Sequence, residues 1–214
     1  MDADTLVAGV QDARETELDR LASDRRLLAV TGADLSRAAV LRAAAQMEAV
    51  ARDTFESWAA DEPHDRAAAA FRSVAEAEAS HLQRVLSAGD ELAEAALDAS
   101  DVGALHRYLR GLEASPARVG AGLIGRPLVG AATQLQFVSF FVNEADSQRA
   151  DLFRDLRSET DAQLDRGRAL LPAVCDSDEA WETARMAAVD AVTVAYEEYA
   201  DALTSMGVDP KPIC

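Results

Sequence analysis

The chain has 214 residues, 38 acidic and 21 basic, giving a formal net charge of −17, and Lys211 is its single lysine. That balance repels phosphate backbones and anionic lipid, which both require a cationic footprint, so neither nucleic acid nor membrane is an expected partner. Two cysteines, Cys175 and Cys214, cannot build a disulfide framework, and the absence of any CxxC excludes a rubredoxin-like or zinc-ribbon module.

An acidic surface with arginine in place of lysine points to a protein kept soluble in high salt, and a halophilic cytosol is the expected origin. The opening "MDADTLVAGV" starts with acids and lacks the basic and apolar regions of a secretory signal, so a cytoplasmic location is expected. Self-repulsion among this many like charges should weaken as salt screens it. The thermal midpoint is therefore expected to rise from low to molar KCl, and a midpoint indifferent to salt would contradict the halophilic origin.

Glycine and proline are sparse and fall between alanine-rich periodic stretches, the pattern of helices joined by short loops. A single all-α domain over residues 1–214 is expected. Residues 3–30 read as one helix, with Leu6, Val7, Val10, Leu18, Leu21 and Leu28 on a drifting stripe and Gly32 as its stop. A second helix runs from about Leu35 to Ala60. Pro63 is placed to be the first residue of the third, behind Asp61 or Glu62 as cap, and that helix stops near Gly89.

"SDVGALHRYLRGLEASP" reads as a helix of about three turns. Residues 119–142 are the least polar stretch, but Arg126, Pro127, Gln134 and Gln136 argue for a buried central helix rather than a membrane span. The glycines within it are read as sites of close helix packing. Two more helices follow, from about Ser147 to Val174 and from 178 to 206, the latter closed by Gly207 and Pro210.

A shift of 82 residues lays one helix pair on another without a gap. Phe55 falls on Phe137, Trp58 on Phe140, Phe71 on Phe153, Arg72 on Arg154, Leu82 on Leu164 and Arg84 on Arg166. The chain thus reads as two copies of one hairpin, residues 34–89 and 116–174, packed as a four-helix bundle, with residues 1–33 and 175–214 flanking it. On this reading Phe55 and Phe137 point into one shared core.

"EAVARDTFESWA" from Glu48 resembles the first bundle helix of rubrerythrins, and "AEAEASHLQR" from Ala75 resembles their Ala-Glu-x-Glu-x-x-His helix. The resemblance covers residues 44–85. It implies an all-α, ferritin-like four-helix bundle with additional N-terminal and C-terminal helices, and it places Glu48, Glu78 and His81 at metal-ligand positions of a di-iron centre. The second hairpin departs from that pattern: Glu48 maps to Gly130, Glu78 to Thr160 and His81 to Gln163. Half of the set of two glutamates and two Glu-x-x-His pairs is missing.

Two functional readings stand side by side. One is a rubrerythrin-like non-haem metal-binding protein in iron or peroxide handling, holding Fe or Mn at a mononuclear or degenerate di-metal site; Zn(II) also accepts such ligands. The other is a metal-free helical adaptor that keeps the fold and has lost the site, with Arg157, which maps onto Ala75, available to pair with Glu48 or Glu78 in place of the cation. A homo-oligomer is the partner left open, though assembling the metal between two chains is disfavoured because the second hairpin fills that space. His64 and His106 are expected in surface or capping roles, Glu15, Glu17, Glu197 and Glu198 on solvated faces, Cys175 as a buried thiol and Cys214 as an accessible one. No nucleophile elbow, Walker loop or Gly-rich phosphate turn is present.

Overall fold

Polar caps start the long helices where apolar periodicity begins. Ser36, His64, Asp146 and Ser177 each accept a backbone N–H from the first turn that follows. The computed structural model describes residues 1–89, 92–98 and 100–211. Among the described residues the chain is helical and without strands, as the all-α reading expects; Cys214 lies outside them.

The helices are α1 (Ala3–Ala13), α2 (Glu15–Leu21), α3 (Arg25–Thr31), α4 (Arg37–Asp61), α5 (Asp65–Ser87), α6 (Gly103–Arg110), α7 (Ser115–Gly120), α8 (Arg126–Asn143), α9 (Ser147–Val174) and α10 (Asp178–Ser205). A π-helical turn, Ala121–Gly125, joins α7 to α8. Among the described residues no helix is long and apolar enough to cross a membrane.

Two corrections concern helix ends. The stretch expected as one helix over residues 3–30 is three, α1 to α3, broken at Arg14 and at Ala22–Asp24. At those breaks Arg14 Nε reaches Thr193 on α10 at 2.9 Å, and Gln136 on α8 donates to the Ala22 carbonyl. Gln136 thus takes a backbone acceptor that a straight helix would keep for itself, while Arg14 ties the first break to α10. Pro63 does not begin α5; His64 is its cap, with Nδ1 accepting from Ala67 N and Nε2 on the Ala173 carbonyl.

Helices α4 and α5 form one hairpin and α8 and α9 another, with α5 against α9, while α10 packs on α6, α7 and the π turn. Adding the 82-residue offset to the end of α4 and the start of α5 lands on the last residue of α8 and the first of α9. Each hairpin also carries the same aromatic pair, Phe55–Phe71 at 5.9 Å between ring centroids and Phe137–Phe153 at 5.0 Å. The shared-core expectation, however, is corrected. Phe55 belongs to one apolar cluster with Trp58, Phe71 and Val129, and Phe137 to another with Leu82, Phe141 and Phe153.

Between those clusters every bundle helix carries buried polar side chains: Glu48 on α4, Glu78 and His81 on α5, Thr133 and Gln134 on α8, Thr160 and Gln163 on α9. A polar layer crosses the core at mid-height. This layer is what the two hairpins position.

The apolar segment is buried on all sides over residues 117–127 and on one side beyond, because α10 lies directly on its glycines. A Cβ at Gly120 would sit 2.0 Å from the Ala184 carbonyl oxygen, and one at Gly125 2.5 Å from that of Ala188. Gly120→Ala should therefore push α10 away and cost about 3 kcal/mol, read as a lower urea midpoint. An unchanged midpoint would contradict this packing.

Candidate metal centre

Glu48 faces inward two turns before Phe55 on α4, and Glu78 and His81 project from successive turns of α5. All three are buried, at 7 %, 2 % and 0 % exposure. One ligand atom from each lies within 4.8 Å of the others. His81 Nδ1 stands 3.4 Å from Glu48 Oε2 and 3.4 Å from Glu78 Oε2. The three residues named from the sequence are therefore brought together.

The other imidazole nitrogen is fixed. His81 Nε2 donates to Glu159 Oε2 at 2.8 Å, and Arg84 holds the other Glu159 oxygen at 2.6 Å. A carboxylate behind a histidine is the arrangement that orients a metal-ligating imidazole and sets its tautomer. With Nε2 carrying its proton, Nδ1 of the neutral ring turns a lone pair toward two carboxylate oxygens. That is repulsive unless a cation or a proton lies between them, and Nδ1 is buried without a hydrogen-bond partner.

The spacing fits a metal. Two donors each about 2.1 Å from one ion, at a near-tetrahedral angle, stand about 3.4 Å apart, which matches both His81–glutamate distances. Without an ion, burial and the neighbouring Glu78 push the Glu48 carboxyl up to about 8. Burial would lower the His81 pKa, but Glu48 and Glu78 raise it to about 10. A proton on Nδ1 and a metal ion thus compete for one position.

The second half of the layer is rebuilt. Gly130 and Thr160 face each other, with a Cβ on Gly130 coming 3.4 Å from Thr160 Cγ2. Gln163 Nε2 donates to Glu78 Oε1 at 2.9 Å, and Arg126 Nη2 donates to the same oxygen at 2.8 Å and also to Gln163 Oε1. Burial opposes ionisation of Glu78, but the Arg126 charge holds its carboxyl well below the usual range. Arg126 stacks on Phe55, 4.9 Å from the ring centroid.

Arg157 is not the pairing cation. It is half-buried, and its Nε has no hydrogen-bond partner among the described residues. Arg126 pairs with Glu78 instead; it lies one helical turn before Gly130, the counterpart of Glu48 in the repeat, where a glycine leaves room. Arg126 and Glu159 are the two residues that the sequence reading missed. The first had a signal, a lone arginine four positions from the emptied ligand; the second had none beyond its place next to Thr160.

Two further expectations change. Glu198 is not on a solvated face, since Oε1 accepts the Ala104 N–H at 2.6 Å at the start of α6. His106 is not a surface residue: it is half-buried, with Nδ1 3.0 Å from Thr54 Oγ1. Burial first, and then the Arg126 charge, push its pKa down to about 3 from 6.5. Because the folded pKa is depressed, the neutral ring's contribution is complete above pH 6.5 and is lost as pH falls toward 3. Between pH 7 and pH 5 this should remove about 1 to 2 kcal/mol. His106→Gln should lose correspondingly less over that interval, and parallel acid limbs would contradict the assignment. Cys175 is buried as expected, and burial raises its thiol to about 11.

In comparisons with protein-family models, curated proteins and solved structures, nothing matches this chain.

Proposed function

We propose that the chain is a rubrerythrin-like protein of ferritin-like fold that keeps one of two metal positions and acts in iron or peroxide handling. The observation that carries this reading is the buried, unpartnered His81 Nδ1, equidistant from Glu48 and Glu78. The matched hairpins and the polar layer at mid-height support the fold, since such bundles build metal sites from side chains on facing helices.

Glu48, Glu78 and His81 would hold the ion, and a set of one imidazole and two carboxylates suits Fe(II) or Mn(II). Either would supply a redox-active centre that can accept a peroxide oxygen. Glu159 keeps His81 Nε2 protonated, so that Nδ1 is the ligand atom. Arg126 and Gln163 hold Glu78 by Oε1 and leave Oε2 toward His81. Arg126 supplies the positive charge that a second metal would otherwise bring.

A metal-free adaptor has one specific observation in its favour. Arg126 and a protonated His81 together can neutralise Glu48 and Glu78 with no ion present. Metal analysis of protein purified without immobilised-metal resin separates the two readings. The metal reading expects roughly one Fe or Mn per chain, reduced to background in Glu48→Gln/His81→Gln. That pair of changes leaves the Glu78–Arg126 contact in place, so its fold is not put at risk.

A further inference from the structure

Beside the polar layer the helices enclose a cavity of about 360 Å³ that reaches from Glu48 and Glu78 to Arg26 on α3. Its volume lies in the lower range of pockets that take small organic ligands. Its lining is mostly apolar, with Met47 and Val50 from α4 and Val129 and Phe137 from α8, and Thr133, Gln134 and Thr160 add polar groups. Asp101, Val102 and Gly103 line it from the loop before α6, where Gln46 donates to the Asp98 and Asp101 carbonyls at 2.7 and 3.0 Å.

Arg26 is 5 % exposed and donates through Nε to Thr133 Oγ1 at 3.0 Å. Its two Nη nitrogens meet no acceptor among the described residues, and no carboxylate oxygen lies within ion-pair distance. Glu198, which lines the same cavity and acts on Arg26 through space, is engaged by the Ala104 N–H at 2.6 Å. Burial lowers the guanidinium to about 10, which still leaves it charged at neutral pH. A buried cation with no carboxylate in contact is costly, and nothing in the polar layer needs one here.

We infer that this cavity binds an amphipathic monocarboxylate, its carboxylate paired with the Nη atoms of Arg26 and its apolar body lying along Met47, Val50, Val129 and Phe137. The flat guanidinium fork matches a carboxylate, and one open cation neutralises one negative charge, whereas a phosphate dianion would need more donors than this end offers. Thr133, which anchors Arg26, and Arg126, which anchors Glu78, are two turns apart on one face of α8, about 10 Å along the helix. A ligand of moderate chain length held at Arg26 therefore ends beside Glu48 and Glu78. The anion site stands without a metal; only the meeting of the ligand's far end with a metal rests on the function proposed above.

Calorimetric titration with octanoate, with octan-1-ol as the neutral probe of the same chain length, tests this. Octanoate should bind the wild type at least about tenfold more tightly than octan-1-ol, and Arg26→Met should remove that advantage. The thermal midpoint of Arg26→Met should be no lower than that of the wild type, because methionine replaces an uncompensated buried charge; Arg26→Gln, which keeps a polar group beside Thr133, gives the same reading should the methionine variant misfold. His81→Gln, at a residue that does not line the cavity, should bind octanoate as the wild type does, so a failure of the metal reading leaves this result intact. Equal affinity for acid and alcohol, or an acid preference that survives loss of Arg26, would overturn the inference. So would octanoate binding that is lost with His81 and kept without Arg26, since the carboxylate would then sit on the metal.

Discussion

Replacing Glu78 alone by leucine should destabilise the metal-free protein by about 3 to 5 kcal/mol, a fall of roughly 6 to 20 °C in thermal midpoint for a domain of this size. The size of the effect comes from what is left behind. Arg126 is nine-tenths buried, and its one ion pair among the described residues is to Glu78 at 2.8 Å. Without Glu78 the guanidinium keeps the Gln163 amide and the face of Phe55 but no counter-charge. Removing both charges is a different matter, because an apolar pair of similar volume leaves nothing unpaired. Glu78→Leu/Arg126→Met should therefore recover most of the loss. Urea unfolding of the wild type, both single variants and the pair closes the cycle. A small cost for Glu78→Leu, or losses that simply add in the pair, would show that Arg126 does not depend on Glu78.

Much of the architecture was legible because alanine-rich periodicity and the few Gly and Pro residues agree on helix positions. The bounds of α9 and the Gly207 stop were read to the residue. The breaks within residues 3–30 were not, since no local signal marks Arg14 or Ala22; the contacts there are distant ones, Arg14 with Thr193 on α10 and the Ala22 carbonyl with Gln136 on α8. For the same reason Pro63 yielded its place to His64, whose ring meets both the α5 backbone and the Ala173 carbonyl.

Glu78 and His81 could be named from their spacing of three positions on a helix and Glu48 from the resemblance to rubrerythrin helices, while the 82-residue repeat shows that Gly130, Thr160 and Gln163 stand at their counterparts. The cation that pairs with Glu78 could not be read in the same way. Arg157 was suggested by register, whereas Arg126 is the cation in contact, because the hairpins meet with Gly130 facing Thr160 and the open volume lies above Gly130. The two aromatic sets were matched correctly as pairs, but a repeat specifies neighbours within a hairpin and not which end of the bundle they reach. Hence Phe55 and Phe137 are both buried yet lie in different clusters. Arg26 offered no signal, since its burial arises only where α3 turns onto α8.

The most direct test of the metal assignment is the shift in thermal midpoint on adding Fe(II), under anaerobic conditions, or Mn(II) to metal-free wild type and to Glu48→Gln/His81→Gln. An ion that binds only the folded state stabilises it by about 2.7 kcal/mol at a hundredfold excess over its dissociation constant, which corresponds to roughly 5 to 11 °C here. The wild type should rise by that order, and the double variant, lacking His81 Nδ1 and one carboxylate, should not move. Equal shifts in the two proteins, or none in either, would contradict the assignment of Glu48, Glu78 and His81 as metal ligands.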